Sequence, residues 1–162
     1  MIRIFAFDDS TERLQSLKAL ISLSDELDYV GDAENCENVL EKMEEYIPDV
    51  VLMDINMPIV DGLEGLKLIK LKFPQIKVLI QTAFDDSDKI FKSISGGASG
   101  YILKSDSPTR ILQAIEEVYE GGAAINPAIA MQVLDYFAPK KTEILTAKEQ
   151  EVLKSLADGN SY

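Results

Sequence analysis

The chain has 162 residues, 46% apolar and 27% charged, enough for one ordinary domain with a modest appendage and too few for two full-sized domains. These proportions exclude a disordered, collagen-like or low-complexity polypeptide. With 16 basic against 28 acidic residues the net charge is −12, so most of the surface repels a polyanion such as DNA and suits cations or basic partners. The acidity belongs to residues 1–120, which hold 12 basic and 23 acidic side chains. There is no histidine, which excludes a histidine base, an imidazole metal ligand or a phosphohistidine within the chain. A lone cysteine, Cys36, closes no internal disulfide. The first residues open into a strand-like run without a signal-peptide pattern, and no apolar stretch approaches membrane-spanning length, so the expected setting is cytoplasmic.

In chain order, short apolar runs alternate with longer amphipathic ones. Ile2 to Phe7 reads as a strand, followed by a helical stripe Leu14, Leu17, Ile21, a strand at Tyr29-Val30, and a polar helix from about Asn35 to Tyr46. Asp49 to Met53 is the third strand, then a stripe Leu63, Leu66, Ile69, Phe73, a fourth strand Ile76 to Ile80, a helix near Ser87 to Ile94, and a fifth strand Tyr101 to Leu103. Pro108 to Glu120 is a helix with Ser107 as its N-cap and Gly121-Gly122 as its stop. Five strands, several of them continuously apolar, predict a doubly wound α/β domain over 1–121: a five-stranded parallel sheet with helices on both faces, whose order 2-1-3-4-5, one that such sheets adopt, is carried in part by the family resemblance given below. Residues 122–144 read as a linker with a short helix opened by Pro127 and running to about Phe137. From 145 to 162 a capping box, Thr146-Ala147-Lys148-Glu149, starts an amphipathic helix with Val152, Leu153 and Leu156 as its apolar stripe. That stripe has no partner helix in the sequence and is expected to pack on the first domain or on another chain.

In open parallel sheets ligands bind beyond the carboxyl ends of the strands. Asp8 and Asp9 follow the first strand, Asp54 the third, Thr82 the fourth and Lys104 the fifth. Successive separations of 45, 28 and 22 residues are about two, one and one βα repeats, as this strand order requires. Two like charges about 4 Å apart repel by about 4 kcal/mol at an effective dielectric near 20, so three clustered carboxylates need a counter-charge. An oxygen-only site favours Mg²⁺. Thr82 and Lys104 add a hydroxyl and an ammonium suited to phosphoryl oxygens, and the cluster reads as machinery for phosphoryl transfer.

These pieces resemble the response-regulator receiver domains of two-component signalling: Phe7-Asp8-Asp9, Met53-Asp54-Ile55-Asn56-Met57-Pro58 with Asp61-Gly62, Gln81-Thr82-Ala83, and Gly100-Tyr101-Ile102-Leu103-Lys104. The resemblance implies that Asp54 is the phosphoacceptor, taking its phosphoryl group from a phosphohistidine of a sensor histidine kinase. It implies Mg²⁺ ligated by Asp9, Asp54 and the backbone carbonyl of Asn56, with Asp8 acting through water. Thr82 and Lys104 would bind phosphoryl oxygens, and small Ala83 would leave room for the incoming group. Thr82 and Tyr101 would form the switch, the hydroxyl drawn inward by the phosphoryl charge and the ring rotating into the vacated space. The chain would catalyse its own phosphotransfer and dephosphorylation without being an enzyme in the usual sense. Two positions depart from the common pattern. Ser105 stands where proline often follows the lysine, and Phe84 stands where the hydrolysing water approaches, which would slow phosphate loss.

Residues 145–162, through Leu145-Thr146-Ala147-Lys148-Glu149-Gln150-Glu151-Val152-Leu153 and Leu156-Ala157-Asp158-Gly159, resemble the opening of the LuxR/NarL-type helix-turn-helix output domain, which implies a phosphorylation-controlled transcription factor that dimerises when phosphorylated. The base-reading helix of such a domain would lie beyond Tyr162, so DNA would be bound only through the full output domain and no membrane is involved. Two other functions remain compatible with an acidic α/β site: a Mg²⁺-dependent phosphohydrolase of the haloacid dehalogenase type, and an interaction module that is never phosphorylated. The first expects an Asp-x-Asp-x-Thr run after the first strand, a spacing that Asp8-Asp9-Ser10-Thr11 does not supply.

Overall fold

Side chains alternate across the strands, and that alternation sorts them into two cores. The computed structural model describes residues 1–83 and 86–138. Its elements run β1 (Ile2–Phe7), α1 (Thr11–Ser22), β2 (Leu27–Ala33), α2 (Val39–Tyr46), β3 (Val50–Asp54), α3 (Gly62–Lys72), β4 (Lys77–Thr82), α4 (Ser87–Ser95), β5 (Gly100–Leu103), α5 (Pro108–Tyr119), β6 (Ala124–Ile125) and α6 (Pro127–Phe137). All strand pairs are parallel and the order is β2-β1-β3-β4-β5-β6.

On one face Ile4, Ala6, Val50, Leu52, Leu79 and Ile102 pack against Leu14, Leu17 and Ile21 of α1 and Ile111, Ala114, Ile115 and Val118 of α5. On the other face Phe5, Phe7, Val51, Met53, Val78, Ile80 and Tyr101 meet Val39 and Met43 of α2, Leu66 and Ile69 of α3 and Ile90 of α4. Strands buried on both sides carry no polar alternation, which is why their sequences read as continuous apolar runs. Each fully buried aliphatic or aromatic side chain stabilises the fold by about 1.5–3 kcal/mol relative to exposure.

Side-chain caps fix the helix starts. Ser10, Asp61, Asp86, Ser107 and Asn126 each accept a backbone N–H from the first turn of the helix that follows. Ser107 and Pro108 act as the sequence predicts. The Ser87, Pro108 and Pro127 helices fall where expected, whereas α2 starts at Val39 rather than Asn35, because Asn35 folds back to accept Glu37 N in a turn.

The sheet has six strands, not five. β6 is two residues long, too short for any periodicity to reveal, and it lies within the stretch read as linker. It pairs with Gly100 and Tyr101 of β5. A side chain at Gly100 would bring its Cβ to 2.6 Å from the Ala124 carbonyl oxygen, so the glycine is what lets the edge close. α6 then returns over the sheet edge: Ile129 is wholly buried, Ser87 Oγ bonds Gln132 Oε1 at 2.8 Å, and the Phe91 and Tyr136 rings stack with centroids 4.1 Å apart. Phe84, the segment from Pro139 to Tyr162 and the apolar stripe Val152, Leu153 and Leu156 lie outside the described residues. Among the described residues no helix is long and apolar enough to cross a membrane.

Candidate functional site

The same alternation aims the chemistry. Continuing the α1/α5-facing series Ile4, Ala6 and Val50, Leu52 leads to Asp8 and Asp54, and continuing Leu79 and Ile102 leads to Gln81 and Lys104. Four polar residues therefore emerge on one face at the carboxyl ends of four neighbouring strands. Asp8 is fully buried and Asp54 is 4% exposed, while Asp9 is exposed beside them. One carboxylate oxygen from each of the three lies within 4.8 Å of the others.

Lys104 spans the cluster. Its Nζ is 2.7 Å from Asp8 Oδ2 and 3.1 Å from Asp54 Oδ2. The Asp54 contact is an aligned hydrogen bond, whereas Asp8 Oδ2 meets the ammonium as an ion pair off the hydrogen-bond axis. Asp8 Oδ1 accepts Ser10 N at 2.9 Å, which fixes that carboxylate at the mouth of α1. Burial pushes the Asp54 carboxyl up from its ordinary range, and the neighbouring Asp8 and Asp9 charges add to this against the opposing pull of Lys104. Burial pulls the Lys104 ammonium down, but the neighbouring Asp8 and Asp54 carboxylates outweigh this, and its net shift is upward.

The lysine's backbone is held as firmly as its head. Lys104 N donates to Thr82 O at 2.8 Å. Asp106 closes the turn behind it, its Oδ2 accepting Leu103 N at 3.1 Å and its own N–H donating to Leu103 O at 3.0 Å. Ser105 lies between Lys104 and Asp106 in this turn, and there is no cis peptide bond among the described residues. Gly62 explains the Asp61-Gly62 pair: a Cβ there would sit 1.9 Å from the Asp54 carbonyl oxygen, so α3 can begin against the end of β3 only with glycine.

The remaining sequence-expected residues are placed less directly. Asn56 lies on the loop two residues past Asp54, and its Oδ1 accepts Lys89 Nζ of α4 at 2.7 Å. Thr82 ends β4, 1% exposed. Tyr101 is wholly buried on the opposite face of the sheet, among the α2–α4 core. The sequence reading passed over two residues at this site. Arg13 of α1 donates from Nη2 to Gln81 Oε1 at 3.0 Å and from Nη1 to Lys104 O at 3.4 Å. Gln81 is fully buried and stands opposite Asp54 in the β3–β4 register. A glutamine inside the apolar run of β4, in step with Asp54 and Lys104, was the available signal.

The donor set is oxygen only, it is compact, and one lysine leaves three carboxylates under-compensated. It therefore fits a small hard divalent cation such as Mg²⁺.

The chain is similar to known proteins in sequence and fold. Residues 4–116 match the family model described as the response regulator receiver domain. The chain is 39% identical to the transcriptional regulatory protein LnrK of Bacillus subtilis (strain 168), over 98% of this chain and 78% of that protein. It is 32% identical to the transcriptional regulatory protein DegU of Brevibacillus brevis, over 99% of this chain and 76% of that protein. A crystal structure of a LuxR-family two-component response regulator from Aurantimonas sp. SI85-9A1 superposes with a TM-score of 0.78 at 30% identity, covering 83% of this chain and 96% of that one. The fold, the acidic strand ends and the matched length make this chain a member of the response-regulator receiver family, of the kind found in transcriptional response regulators.

Proposed function

We propose that Asp54 accepts a phosphoryl group from the phosphohistidine of a sensor histidine kinase and that Thr82 and Tyr101 report its arrival. The observation that carries this is the meeting of Asp8, Asp9 and Asp54 within 4.8 Å under the ammonium of Lys104. In the transfer, an Asp54 carboxylate oxygen forms the new P–O bond while the P–N bond to the donor imidazole breaks and its electron pair stays on the nitrogen. The chain has no histidine of its own, in keeping with an external donor.

Asp9, Asp54 and the backbone carbonyl of Asn56 would hold Mg²⁺ directly, with Asp8 acting through water. The bound cation supplies charge neutralisation between the carboxylates and the incoming phosphoryl oxygens. Lys104, already paired to Asp8 and Asp54, releases a carboxylate to hold a phosphoryl oxygen. Thr82 donates its hydroxyl to another, and small Ala83 leaves the approach open. The added charge of about −1.5 to −2 biases Thr82 and the Tyr101 face of α4, β5 and α5 toward a second arrangement. That face would then pair two chains.

In this reading residues 1–121 are the receiver, 122–144 the connection and 145–162 the start of a LuxR-type output domain. DNA is bound through the complete output domain, and the setting is cytoplasmic. Support comes from the similarity to LnrK and DegU, both transcriptional regulatory proteins by name. Incubation with Mg²⁺ and acetyl phosphate, followed by intact-mass measurement, should show one phosphoryl group added to wild type and none to Asp54→Asn. Equal labelling of both proteins, or sustained turnover of phosphate esters, would overturn it.

A further inference from the structure

We propose that Arg13 and Gln81 are positioning residues for Lys104 and Asp54: the guanidinium brackets the ends of β4 and β5 from α1 and raises the positive potential under the acid cluster. The inference rests on the phosphoacceptor reading of Asp54.

Arg13 is placed by its own helix cap, its N–H bonding Ser10 Oγ at 3.2 Å four residues past Asp9. From there the side chain crosses under the cluster. One prong takes the carbonyl of Lys104 and the other the amide oxygen of Gln81, contacts that join α1 to residues 91 and 68 positions away. Gln81 pairs in register with Asp54 on one side and Ile102 on the other, so the bracket touches the strand neighbour of the phosphoacceptor and the backbone of the lysine that pairs with it.

A helix covering an apolar sheet face needs no arginine there, since a Leu or Met would fill the same space at less desolvation cost. Burial does pull the guanidinium down, and the opposing pull comes from Asp8 and Asp54. Both hydrogen-bond partners are neutral acceptors, so no carboxylate is consumed in holding Arg13: its charge acts on Asp8 and Asp54 at a distance while their oxygens stay available. Arg13 Nε and Gln81 Nε2 are buried donors without an acceptor among the described residues, and Asp8 Oδ2 is the buried oxygen lacking an aligned donor. What joins α1 to the site is the pair of Arg13 bonds to the Gln81 amide oxygen and the Lys104 carbonyl.

A bracket and a mere packing residue predict opposite effects on the metal. Removing a nearby positive charge should make Mg²⁺ bind more tightly, by about two- to fivefold at typical near-surface dielectrics. Losing the bracket should slow phosphorylation at saturating Mg²⁺ by about tenfold, because a small misplacement of Lys104 is felt directly in the transfer. A packing defect would weaken both. The experiment measures Mg²⁺ affinity by calorimetry, phosphorylation by acetyl phosphate through intact mass, and thermal melts, for wild type, Arg13→Met, Arg13→Lys, Gln81→Leu and Arg13→Met/Gln81→Leu.

Arg13→Met should show the split. Arg13→Lys should keep wild-type Mg²⁺ affinity and still phosphorylate slowly. The double variant should be no slower than the slower single, as for residues acting through one contact. Arg13→Met at the wild-type rate, unchanged or weaker Mg²⁺ binding with the slower rate, or additive losses would each overturn the bracket. If Arg13→Met does not fold, Arg13→Lys decides, and a wild-type rate there overturns it equally. Failure of wild type itself to accept a phosphoryl group would instead remove the reading of Asp54.

Discussion

At the residue scale, the loop that leaves Asp54 carries a strain. Ile59 sits at φ +67°, a region where a β-branched side chain costs about 1–2 kcal/mol, and it is 75% exposed, so no burial offsets that cost. Glycine would relieve the strain but lose more freedom on folding, leaving Ile59→Gly more stable by about 0.5–1 kcal/mol, readable in urea melts. Asp54 is strained electrostatically. Its folded-state carboxyl is raised above the ordinary value of 3.8, chiefly by burial, so stability is lost as pH rises from 3.8 through that raised range. The Asp54→Asn protein should therefore melt higher than wild type at neutral pH, and the gap should close as the pH falls below 3.8, where wild-type Asp54 is protonated as well. A gap that is constant with pH would contradict this. Lys104 shifts stability in the same direction but in a higher pH window. Its raised value means that its contribution persists through neutral pH and is lost only as pH climbs through the upper lysine range.

At the element scale, α6 is the least obvious part of the molecule. It is almost wholly apolar, and its inner side places Ile129 in the core and Tyr136 against Phe91 of α4, while Met131 and Leu134 are exposed at 57% and 63%. α4 is therefore attached on two sides: Lys89 reaches back to Asn56 in the loop past Asp54, and Ser87 and Phe91 face forward to α6. A stacked aromatic pair adds about 0.5–1.5 kcal/mol beyond burial, so Tyr136→Ala should speed amide exchange in α6 by roughly three- to tenfold. Exchange in β1 and β3 should be unchanged, and equal acceleration throughout would show that α6 unfolds only with the whole domain.

At the scale of the whole molecule, the sheet works as a registration device. Parallel pairing sets Asp54 beside Gln81 and Gln81 beside Ile102, so four neighbouring strand ends converge on one mouth, Asp54 and Gln81 from within their strands and Asp8 and Lys104 from the first residue past theirs. The charge distribution serves the same end. A chain of net charge −12 has one lysine inside its carboxylate cluster and one arginine beneath it, and both are held by hydrogen bonds rather than left to sample solvent. The energetic tension at Asp54 comes from burying a carboxylate beside two others, against which Lys104 pulls.

Much of this was legible in the residues themselves. Apolar runs and helical stripes marked the strands and helices, while their order in the sheet came in part with the receiver resemblance; Asp8, Asp9, Asp54, Thr82 and Lys104 appeared at strand ends with the spacing of βα repeats; and Ser107 with Pro108 announced the start of α5. These signals are local, since periodicity, caps and repeat length are written in neighbouring positions. Closure of the tertiary structure decided the rest: the two-residue β6 admitted by Gly100, the lodging of α6 on α4, the fastening of the Lys104 turn by Asp106, and the reach of Arg13 to Gln81 and Lys104. Most of these link residues far apart in the chain, and their partners become neighbours only once the sheet has set its register and both helical layers are packed.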